Sequence, residues 1–564
     1  VVVEGNAIVK GKMEAAGKVN ILARCGKTKG SMNMFHDISG VADMNIDNNV
    51  TFSEEMTVTG TDRVTVEGTG VLNLGLKKET PVTSPYGTDT PPTATHAFSG
   101  RDEKHKMTIE GSGEAGTLNF ITNGIGREIL VDMKNIKLEN MKIKASSIID
   151  KAEIHEDYIR LGAGSDLNGI VNPKEVKRYG QLNKIYKSIY NSREENIDGL
   201  RDILSLSTYL GKNYDYNNRP EAEKEEQLAS LLGYLTSVYI ESPYSYSSEL
   251  SRRSMGMFRD IVTENEFRPN LNNWLIMGGL THADGGTKDT YYGQNYHGFD
   301  IGTSDTNADM KLTGAYMLAK YGYSENTSLG LTIGGARSEA ELSMSKVKGN
   351  SGYVGVFAEN YRGNLTLKAG AGAQYSKYDA DRGTIRGYNY SDKYSDMAYD
   401  IYLNGRYSDS IGDNLFLEPY ATLSYTYVDQ KGADEGSGDL AIKTDSKSFD
   451  YTVGKVGIDL KKVIPHGKGK TTLSAGVSYT KILDGAEEGY ITGRFEDGSD
   501  FDILVAHKNE DNVGINVKYN LELENGILFD IKGTYILEKD SHHNSSKNKT
   551  ESEWIAGVEI GYKF

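Results

Sequence analysis

Cysteine is nearly absent from this 564-residue chain, in which Cys25 is the single one. One thiol excludes an intramolecular disulfide, so the fold is not held by internal cross-links. Long apolar runs are absent as well. No apolar stretch reaches the ~18 residues of a transmembrane helix. Together with a net charge of −16 and a mean hydropathy of −0.51, this excludes transmembrane helices.

Motifs for catalysis or cofactor binding are also missing. The sequence has no G-x-S-x-G, no H-E-x-x-H and no cysteine pair. Residues 111–116 fit G-x-G-x-x-G, but the following residues 117–120 continue as a strand, so no helix N-terminus is available for a pyrophosphate. A glycine-rich turn is the better interpretation, and His542-His543 is expected to be solvated. We predict no enzyme activity, no cofactor, no bound metal and no nucleic-acid partner.

A pattern of alternating apolar and polar residues dominates the chain after residue 270. In the last twelve residues one face of an extended strand is apolar, carrying Trp554, Ala556, Val558, Ile560, Tyr562 and Phe564. An ordinary half-buried strand of a soluble sheet would look similar. The preceding strands decide between the two, because they run ~10 residues or more, the length that crosses a bilayer, whereas soluble strands average ~5–6.

Counting back from Phe564, this pattern predicts strands centred near residues 558, 532, 518, 476, 456, 422, 402, 370, 356, 334, 316 and 277. Tight turns are predicted at 524–526, 412–414, 362–364 and 324–326, and long polar loops at 377–395, 429–448, 483–500 and 540–552. Residues 284–309 could be a long loop or a loop with a strand extension. An even number of strands with short turns at one end and long loops at the other is typical of bacterial outer-membrane barrels. Residues 270–564 therefore predict a 12-stranded antiparallel β-barrel.

The first part of the chain, residues 1–171, has a different pattern. Short apolar-alternating segments recur between Gly, Asn, Asp and Thr residues. Such segments, stacked one above another, predict a parallel β-helix, with a generic β-sandwich as the alternative. Residues 79–100 contain four prolines and predict a loop that bulges from one rung.

Helical periodicity replaces the strand pattern from Asn172. We predict a helical connecting segment over 172–243, beginning with Asn172 as N-cap and Pro173 at the first helical position. A linker segment, 244–269, follows and contains one helix over 247–264. That helix carries Arg252, Arg253 and Arg259 among small and apolar residues. Because three arginines do not suit lipid, we expect them in a barrel lumen lined by inward carboxylates, namely Asp400, Glu418, Asp530, Glu553 and Glu559.

A β-helical segment, a basic helix and a twelve-stranded barrel ending in Tyr562-Lys563-Phe564 resemble the monomeric autotransporters of Gram-negative bacteria (type V secretion). The tyrosine-rich barrel and the helical segment look more like the fusobacterial adhesin branch of this family than its serine-protease toxins. The resemblance implies that residues 244–269 thread the barrel and that 1–171 is the last part of a passenger. It also implies that Trp554, Tyr562 and Phe564 belong to the signal read by the barrel assembly machinery. In the family, Gly often occupies the place of Glu559, so this chain departs from that signal.

The resemblance further implies a monomer in outer-membrane lipid that secretes and displays its own passenger on the cell surface. We expect that passenger to be an adhesin for host or bacterial receptors, and so a virulence factor. Some relatives release the passenger at an Asn pair in the helix; residues 247–264 contain none, so we expect it to stay attached. A porin-type channel, or a translocator for a surface enzyme whose catalytic part lies upstream, are the alternatives. Because the sequence starts at Val1 with no signal segment, we expect it to be the C-terminal piece of a longer protein.

Overall fold

A computed structural model describes the chain except for residues 1, 5–6, 10–12, 26–27, 80–90, 99–103, 114, 177, 206–218, 289–294, 297–298, 301–307, 385–387, 488, 507–510 and 540–549. His542-His543 and most of the predicted 79–100 loop therefore lie outside the described residues. The chain divides into two compact units. The first, called here the N-terminal unit, comprises residues 1–234 with 295–301 and 495–499. The second, the barrel unit, comprises residues 235–294, 302–494 and 500–564.

The N-terminal unit is built mainly from stacked parallel strands. Their order is Val2–Glu4, Met13–Cys25, Ile38–Phe52 and Arg63–Gly75, after which the sheet continues along two paths, through Met107–Ser112 to Ile136–Glu139 and through Gly116–Ile121 to Met141–Ala145. Shorter strands complete the unit: Ala7–Val9, Thr28–Lys29, Ser31–Met34, Val58–Thr59, Lys77–Lys78, Thr93–Thr95, Glu128–Asp132, Asp150–Ile154 and Tyr158–Ala163. The predicted parallel stack is confirmed.

Four of the corners in this stack lie at residues with positive φ. These residues are Asn48 (φ 63°), Gly68 (φ 60°), Gly113 (φ 80°) and Asn140 (φ 51°). The left-handed region is open to Gly and, at a small cost, to Asn, which explains why these two residue types separate the apolar segments. Gly113 belongs to the G-x-G-x-x-G pattern, and strands lie on both sides of it. The interpretation of that motif as a structural turn is thereby confirmed.

Apolar residues at equivalent positions of successive rungs form the core of this stack. Met44 pairs in register with Val64, Val64 with Ile109, and Ile109 with Leu138. On the polar face, Asn73 Nδ2 donates to Asn49 Oδ1 at 2.6 Å, and Asn119 Nδ2 donates to Asn73 Oδ1 at 2.8 Å. The rungs differ in length, since Met44 to Val64 takes 20 residues and Val64 to Ile109 takes 45.

Two features of the N-terminal unit differ from the prediction. Tyr158–Ala163 pairs antiparallel with both Glu128–Asp132 and Asp150–Ile154, so the stack ends in an antiparallel sheet. Within the predicted 79–100 loop, Thr93–Thr95 forms a strand that is parallel to Glu128–Asp132. Backbone pairing to an existing sheet outweighs the local bias of the neighbouring prolines toward a loop.

The helices are α1 (Tyr179–Asn191), α2 (Glu194–Leu204), α3 (Arg219–Ile240) and α4 (Ser247–Glu264), with a 3₁₀ turn at Pro243–Ser245. The predicted helix start at Asn172-Pro173 is wrong. Asn172 Oδ1 instead accepts from the backbone N–H of Lys174 at 3.2 Å, closing a local turn, and α1 begins after Arg178. The predicted bounds of the helix over 247–264 are confirmed. No helix in the described ranges is long and apolar enough to cross a membrane.

Twelve antiparallel strands form the closed barrel. They are β1 (Trp274–Lys288), β2 (Ala308–Ser324), β3 (Thr327–Glu341), β4 (Ser345–Arg362), β5 (Leu365–Gly383), β6 (Asn389–Tyr407), β7 (Leu415–Gln430), β8 (Lys447–His466), β9 (Gly469–Asp484), β10 (Asp511–Leu523), β11 (Ile527–Lys539) and β12 (Thr550–Lys563). Each strand pairs with the next, and β12 pairs with β1, which closes the sheet. Short segments outside this series are Asn295–Tyr296, Phe299–Asp300, Asp409–Gly412, Ile442–Thr444, Tyr490–Phe495 and Phe501–Leu504. The predicted number and placement of barrel strands are confirmed.

The barrel strands alternate as predicted between an outer apolar face and an inner polar one. In β12 every even-numbered residue from Ser552 to Phe564 is exposed and every odd-numbered one is less so. The four predicted tight turns are present at one end. At the other end the predicted 377–395 loop is wrong, since β5 and β6 pair from Gly383↔Asn389 onward and leave five residues between them. Polar composition alone did not distinguish a loop from the solvent-exposed ends of two strands.

Candidate functional site in the barrel lumen

Helix α4 lies inside the barrel and runs along its axis. It packs against strands β2 to β7. Near its start, the backbone carbonyl of Ser247 accepts from Tyr378 Oη at 3.1 Å, close to the end of β5 that carries the longer connections. Beyond its end, Asn270 Nδ2 donates to the carbonyl of the terminal Phe564 at 2.8 Å, at the tight-turn end. The chain thus passes through the lumen from the long-connection end and enters β1 at the opposite end.

One face of α4 carries small and apolar residues that fit the wall. Ser251 Oγ donates to Asp396 Oδ2 at 2.6 Å, and Ser254 Oγ donates to Gln374 Oε1 at 2.7 Å. One turn further, the ring of Phe258 stacks on Tyr353 at 4.3 Å between centroids with an interplanar angle of 5°. This spacing of three to four residues places all three side chains on one stripe.

Two inward glycines of the wall make this close approach possible. A Cβ at Gly314 would lie 2.4 Å from the Met257 methyl, and one at Gly334 would lie 2.4 Å from the Phe258 ring. Neither distance is tolerated between carbon atoms in contact, which prefer about 3.5–4.0 Å. Glycine at these two positions therefore sets how near the helix comes to β2 and β3.

The predicted arginines lie in the lumen. Arg253 bridges Glu249 of its own helix (3.1 Å) and Glu553 of β12 (3.1 Å), and Arg259 Nη1 is 3.3 Å from Asp400 Oδ2 of β6. Arg252 pairs within its own helix. It donates to Glu249 at 2.6 Å and lies over the ring of Tyr451.

All five predicted carboxylates face the lumen, but only two contact the arginines of α4. Glu418 accepts from Arg406 and Lys461, Asp530 lies 3.6 Å from Lys518, and Glu559 accepts from Asn265. Sequence reasoning missed Glu249, which is 3% exposed and binds both Arg252 and Arg253. Its spacing of three and four residues from these arginines was the available signal.

The second half of α4 and the residues after it are acidic, and the facing wall is basic. Lys455 of β8 lies 3.4 Å from Asp260 and 3.1 Å from Glu264, and Lys532 of β11 also binds Glu264. Lys461 binds Glu266 at 2.5 Å. Basic and acidic stretches of the threaded segment thus each meet complementary charges on the wall. Sequence reasoning did not predict this acidic stretch, although Asp260, Glu264 and Glu266 recur along a short run.

The long-connection end of the lumen is closed around the residues that precede α4. Tyr244 and Tyr246 are buried there in an apolar cluster with Leu250, Met310, Leu342, Tyr378, Tyr394 and other residues. Glu435, from the connection between β7 and β8, accepts two hydrogen bonds from Arg382 (2.7 and 2.6 Å) and one from Tyr244 Oη (2.8 Å). The side chains of Arg382 and Glu435 are 3% and 0% exposed. We call Tyr244, Arg382 and Glu435 together the mouth lock.

The helix does not fill the lumen completely. A cleft of about 190 Å³ remains between α4 and the wall formed by β7 to β12, β1 and β2. Its walls carry both signs of charge, among them Arg253, Lys455, Lys532, Asp530 and Glu553. In the parts of the chain that the structure describes, no cluster of three or more His, Cys, Asp or Glu residues could hold a metal ion.

The predicted assembly-signal residues lie on the outer surface at the last strand. Trp554, Tyr562 and Phe564 are 46%, 45% and 56% exposed, and the Tyr562 and Phe564 rings meet edge to face at 5.0 Å. The backbone N–H of Phe564 donates to the carbonyl of Trp274 at 3.0 Å. The terminal residue therefore takes part in the seam between the first and last strands.

Residues 287–533 match a family model described as the autotransporter beta-domain. Two curated relatives, both named extracellular serine protease from Serratia marcescens, are 26% identical over 222 residues and 25% identical over 186 residues. The matches cover 39% and 32% of this chain but only 20% and 16% of those proteins. The chain thus spans a fifth or less of the curated relatives that it matches.

Solved structures with a related fold include two translocator units. The translocator domain of the autotransporter NalP from Neisseria meningitidis is 14% identical with a TM-score of 0.44, covering 57% of this chain and 98% of that one. The beta domain of the Bordetella autotransporter BrkA is 14% identical with a TM-score of 0.38, covering 52% and 100%.

Proposed function

Because the C-terminal part of this chain is an autotransporter β-domain in the outer membrane, we propose that it secretes the segment upstream of α4 and displays it on the cell surface. The domain is a closed barrel formed within one chain, and membrane lipid surrounds its apolar outer face. The N-terminal unit is then the last part of the displayed passenger. We further propose that the passenger stays attached and acts as an adhesin.

The observation that carries the proposal is the path of the chain through the lumen. Residues 244–273 enter at the long-connection end, pass along the axis as α4 and join β1 at the tight-turn end. Long connections of bacterial barrels face outward and tight turns face the periplasm. A chain that runs this way has its upstream part outside the cell.

Continued attachment is supported by the unbroken helix. Residues 247–264 contain no Asn-Asn pair. An Asn272-Asn273 pair lies just before β1, outside the helix, and Asn272 has a φ of 56°. Recovery of a barrel-free N-terminal unit from the culture medium, with a protease-deficient host as control, would contradict attachment.

Adhesion is the first of two candidate activities for the passenger. An adhesin suits a stack of rungs that stays tethered to the cell and presents a repeated polar surface. The names of the Serratia relatives support a second candidate, a translocator for a surface protease whose catalytic part lies upstream. Binding of cells that display the chain to host or bacterial cells supports the first candidate, and casein hydrolysis by the protein with its upstream region supports the second.

A porin-type channel is less well supported. Helix α4 fills most of the lumen, and the mouth lock closes its outer end. We therefore expect the protein in a planar bilayer to conduct far less than a variant without residues 244–264. Equal conductance of the two would favour the channel.

Surface display is tested by the position of an epitope tag. With a signal peptide placed before the chain, a tag at Asp89 should be digested by protease on intact cells, and the barrel should remain as a heat-modifiable fragment. The same tag in the tight turn at Asp413 should be protected until the outer membrane is permeabilised. Protection of the Asp89 tag together with an inserted barrel would overturn the proposal.

A further inference from the structure

Lysines on the inner wall of the barrel bind the backbone at the C-terminal end of α4. Lys368 Nζ of β5 lies 2.9 Å from the carbonyl oxygen of Val262 and 2.5 Å from that of Asn265. Lys320 Nζ of β2 lies 3.4 Å from the carbonyl oxygen of Asn265 and 3.0 Å from that of Phe267. Val262 lies in the last turn of α4, where carbonyl groups have no partner within the helix, so Lys368 supplies a missing donor there. Asn265 is the C-cap and Phe267 follows it, so Lys320 binds the backbone that leaves the helix.

A third lysine reaches the same helix end from the opposite wall. Lys518 Nζ of β10 donates to the carbonyl oxygen of Glu264 at 2.5 Å. The helix ends here because Asn265 has an extended backbone, with φ −76° and ψ 118°. Cations are favoured at this position also by the helix dipole, which places roughly half a negative charge at the C-terminus.

The charge balance around the first two lysines shows that the helix end is part of their binding arrangement. Lys320 and Lys368 are 0% and 5% exposed, and both contact Glu359, which is 1% exposed, at 2.8 and 3.4 Å. Among the described residues, Glu359 is the one carboxylate within 4 Å of either ammonium group. Buried charges are tolerated only when paired and hydrogen-bonded. One carboxylate for two cations leaves an excess positive charge that the helix carbonyls offset.

We propose that Lys320, Lys368 and Lys518 are positioning residues that recognise the end of the lumen helix through its backbone and set the depth at which it stops. The inference rests on the proposed function and deepens it. The ion pairs of Arg253 and Arg259 select particular side chains, whereas the lysines bind carbonyl oxygens. If the helix continued past this depth, the same carbonyl groups would be hydrogen-bonded within it, so the lysines favour a helix that ends here.

Amide hydrogen exchange of residues 258–264 in the full chain tests the proposal. The variant K320M/E359Q/K368M removes both cations and the carboxylate together, so that no buried charge is left unpaired. We expect exchange in this segment to become at least tenfold faster, with the barrel still heat-modifiable. The control is K462M, because Lys462 also donates to a backbone carbonyl, that of Asp413 at 2.6 Å, but is exposed.

The yield of a disulfide between α4 and the barrel wall measures the depth of the helix. Ser251 Oγ and Ser376 Oγ lie 3.2 Å apart, so S251C/S376C in a C25S background should form a disulfide. The triple variant should lower its yield, and K368R, which keeps the cation, should preserve it. Unchanged exchange and unchanged disulfide yield in a folded triple variant would overturn the proposal. If that variant does not fold, K518M is measured in the same way, and unchanged values there would also overturn it. Surface digestion of the Asp89 tag tests display separately, so loss of the inference is distinguishable from loss of the function.

Discussion

Substitution of Glu435 by Gln tests whether the mouth lock holds the connection between β7 and β8 in place. Glu435 accepts from Arg382, from Tyr244 and, at 2.7 Å, from the backbone N–H of Ile442. Its single carboxylate therefore contacts one barrel strand, the residues before α4 and the connection that carries Glu435 itself. Glutamine keeps the shape but removes the charge that neutralises Arg382.

The size of the effect follows from the burial of the pair. Breaking a buried ion pair by removing one member costs about 3–5 kcal/mol. Gln retains one acceptor oxygen, so we expect the low end, about 3 kcal/mol, which is on the order of a 100-fold change in an opening equilibrium. Glu435 lies in a connection and not in a barrel strand. The lost free energy should therefore make local opening of residues 431–446 more favourable.

Amide exchange and limited proteolysis of residues 431–446 measure that opening. The matched control is D434N in the same connection, where Asp434 binds Lys443 at 2.9 Å but both side chains are more than half exposed. Such surface pairs contribute about 0–1 kcal/mol, so exchange should change less than about fivefold. The double variant R382M/E435L removes both charges and should recover part of the protection. Equal effects of E435Q and D434N would refute the reasoning.

Three further predictions concern other parts of the chain. F258A removes a fully buried ring from the helix stripe and should cost about 3–5 kcal/mol, measured as faster exchange along α4; no change would mean that the stripe is not packed. R201M leaves the buried Asp150 without its 2.7 Å partner and should destabilise the N-terminal unit by about 3–5 kcal/mol in urea unfolding, whereas R201M/D150N should recover part of the loss. His96 Nδ1 accepts from the N–H of Phe98, and burial lowers the pKa of His96 to about 4 from its usual 6.5. The unfolded chain therefore binds a proton first, and stability should fall as the pH drops from about 6.5 toward 4, a slope that H96N should flatten.

The sequence predicted the barrel better than it predicted the N-terminal unit, for a physical reason. Each barrel strand separates lipid from a polar lumen, so strict alternation is required over many residues, and thirteen- to twenty-residue strands display it fully. Rungs of the N-terminal unit differ in length and bury only a narrow stripe. Their register depends on where the corner residues fall, as at Asn48 and Gly68, and no fixed period shows this.

The sequence predicted which charged residues face the lumen but not which of them pair with one another. A helix with arginines and a lumen with carboxylates were both foreseen, yet Arg252 binds Glu249 on its own helix, and Glu418 binds lysine and arginine of the wall. Pairing across the lumen depends on the rotation and depth of α4. These follow from the stripe of Ser251, Ser254 and Phe258 on α4 and from Gly314 and Gly334, which only the assembled barrel brings opposite the helix.

The lysines at the end of α4 show why the depth of this helix in the barrel was not predicted from the sequence. Lys320, Lys368 and Lys518 occupy inward positions of three strands, where any polar residue satisfies the alternation. Their role arises because they meet carbonyl groups, which every residue carries and which, within a helix, are free only in its last turn. A helix shifted by one turn, about 5.4 Å, toward the tight-turn end would present hydrogen-bonded carbonyls to the same ammonium groups. The wall thus favours one depth of the threaded chain.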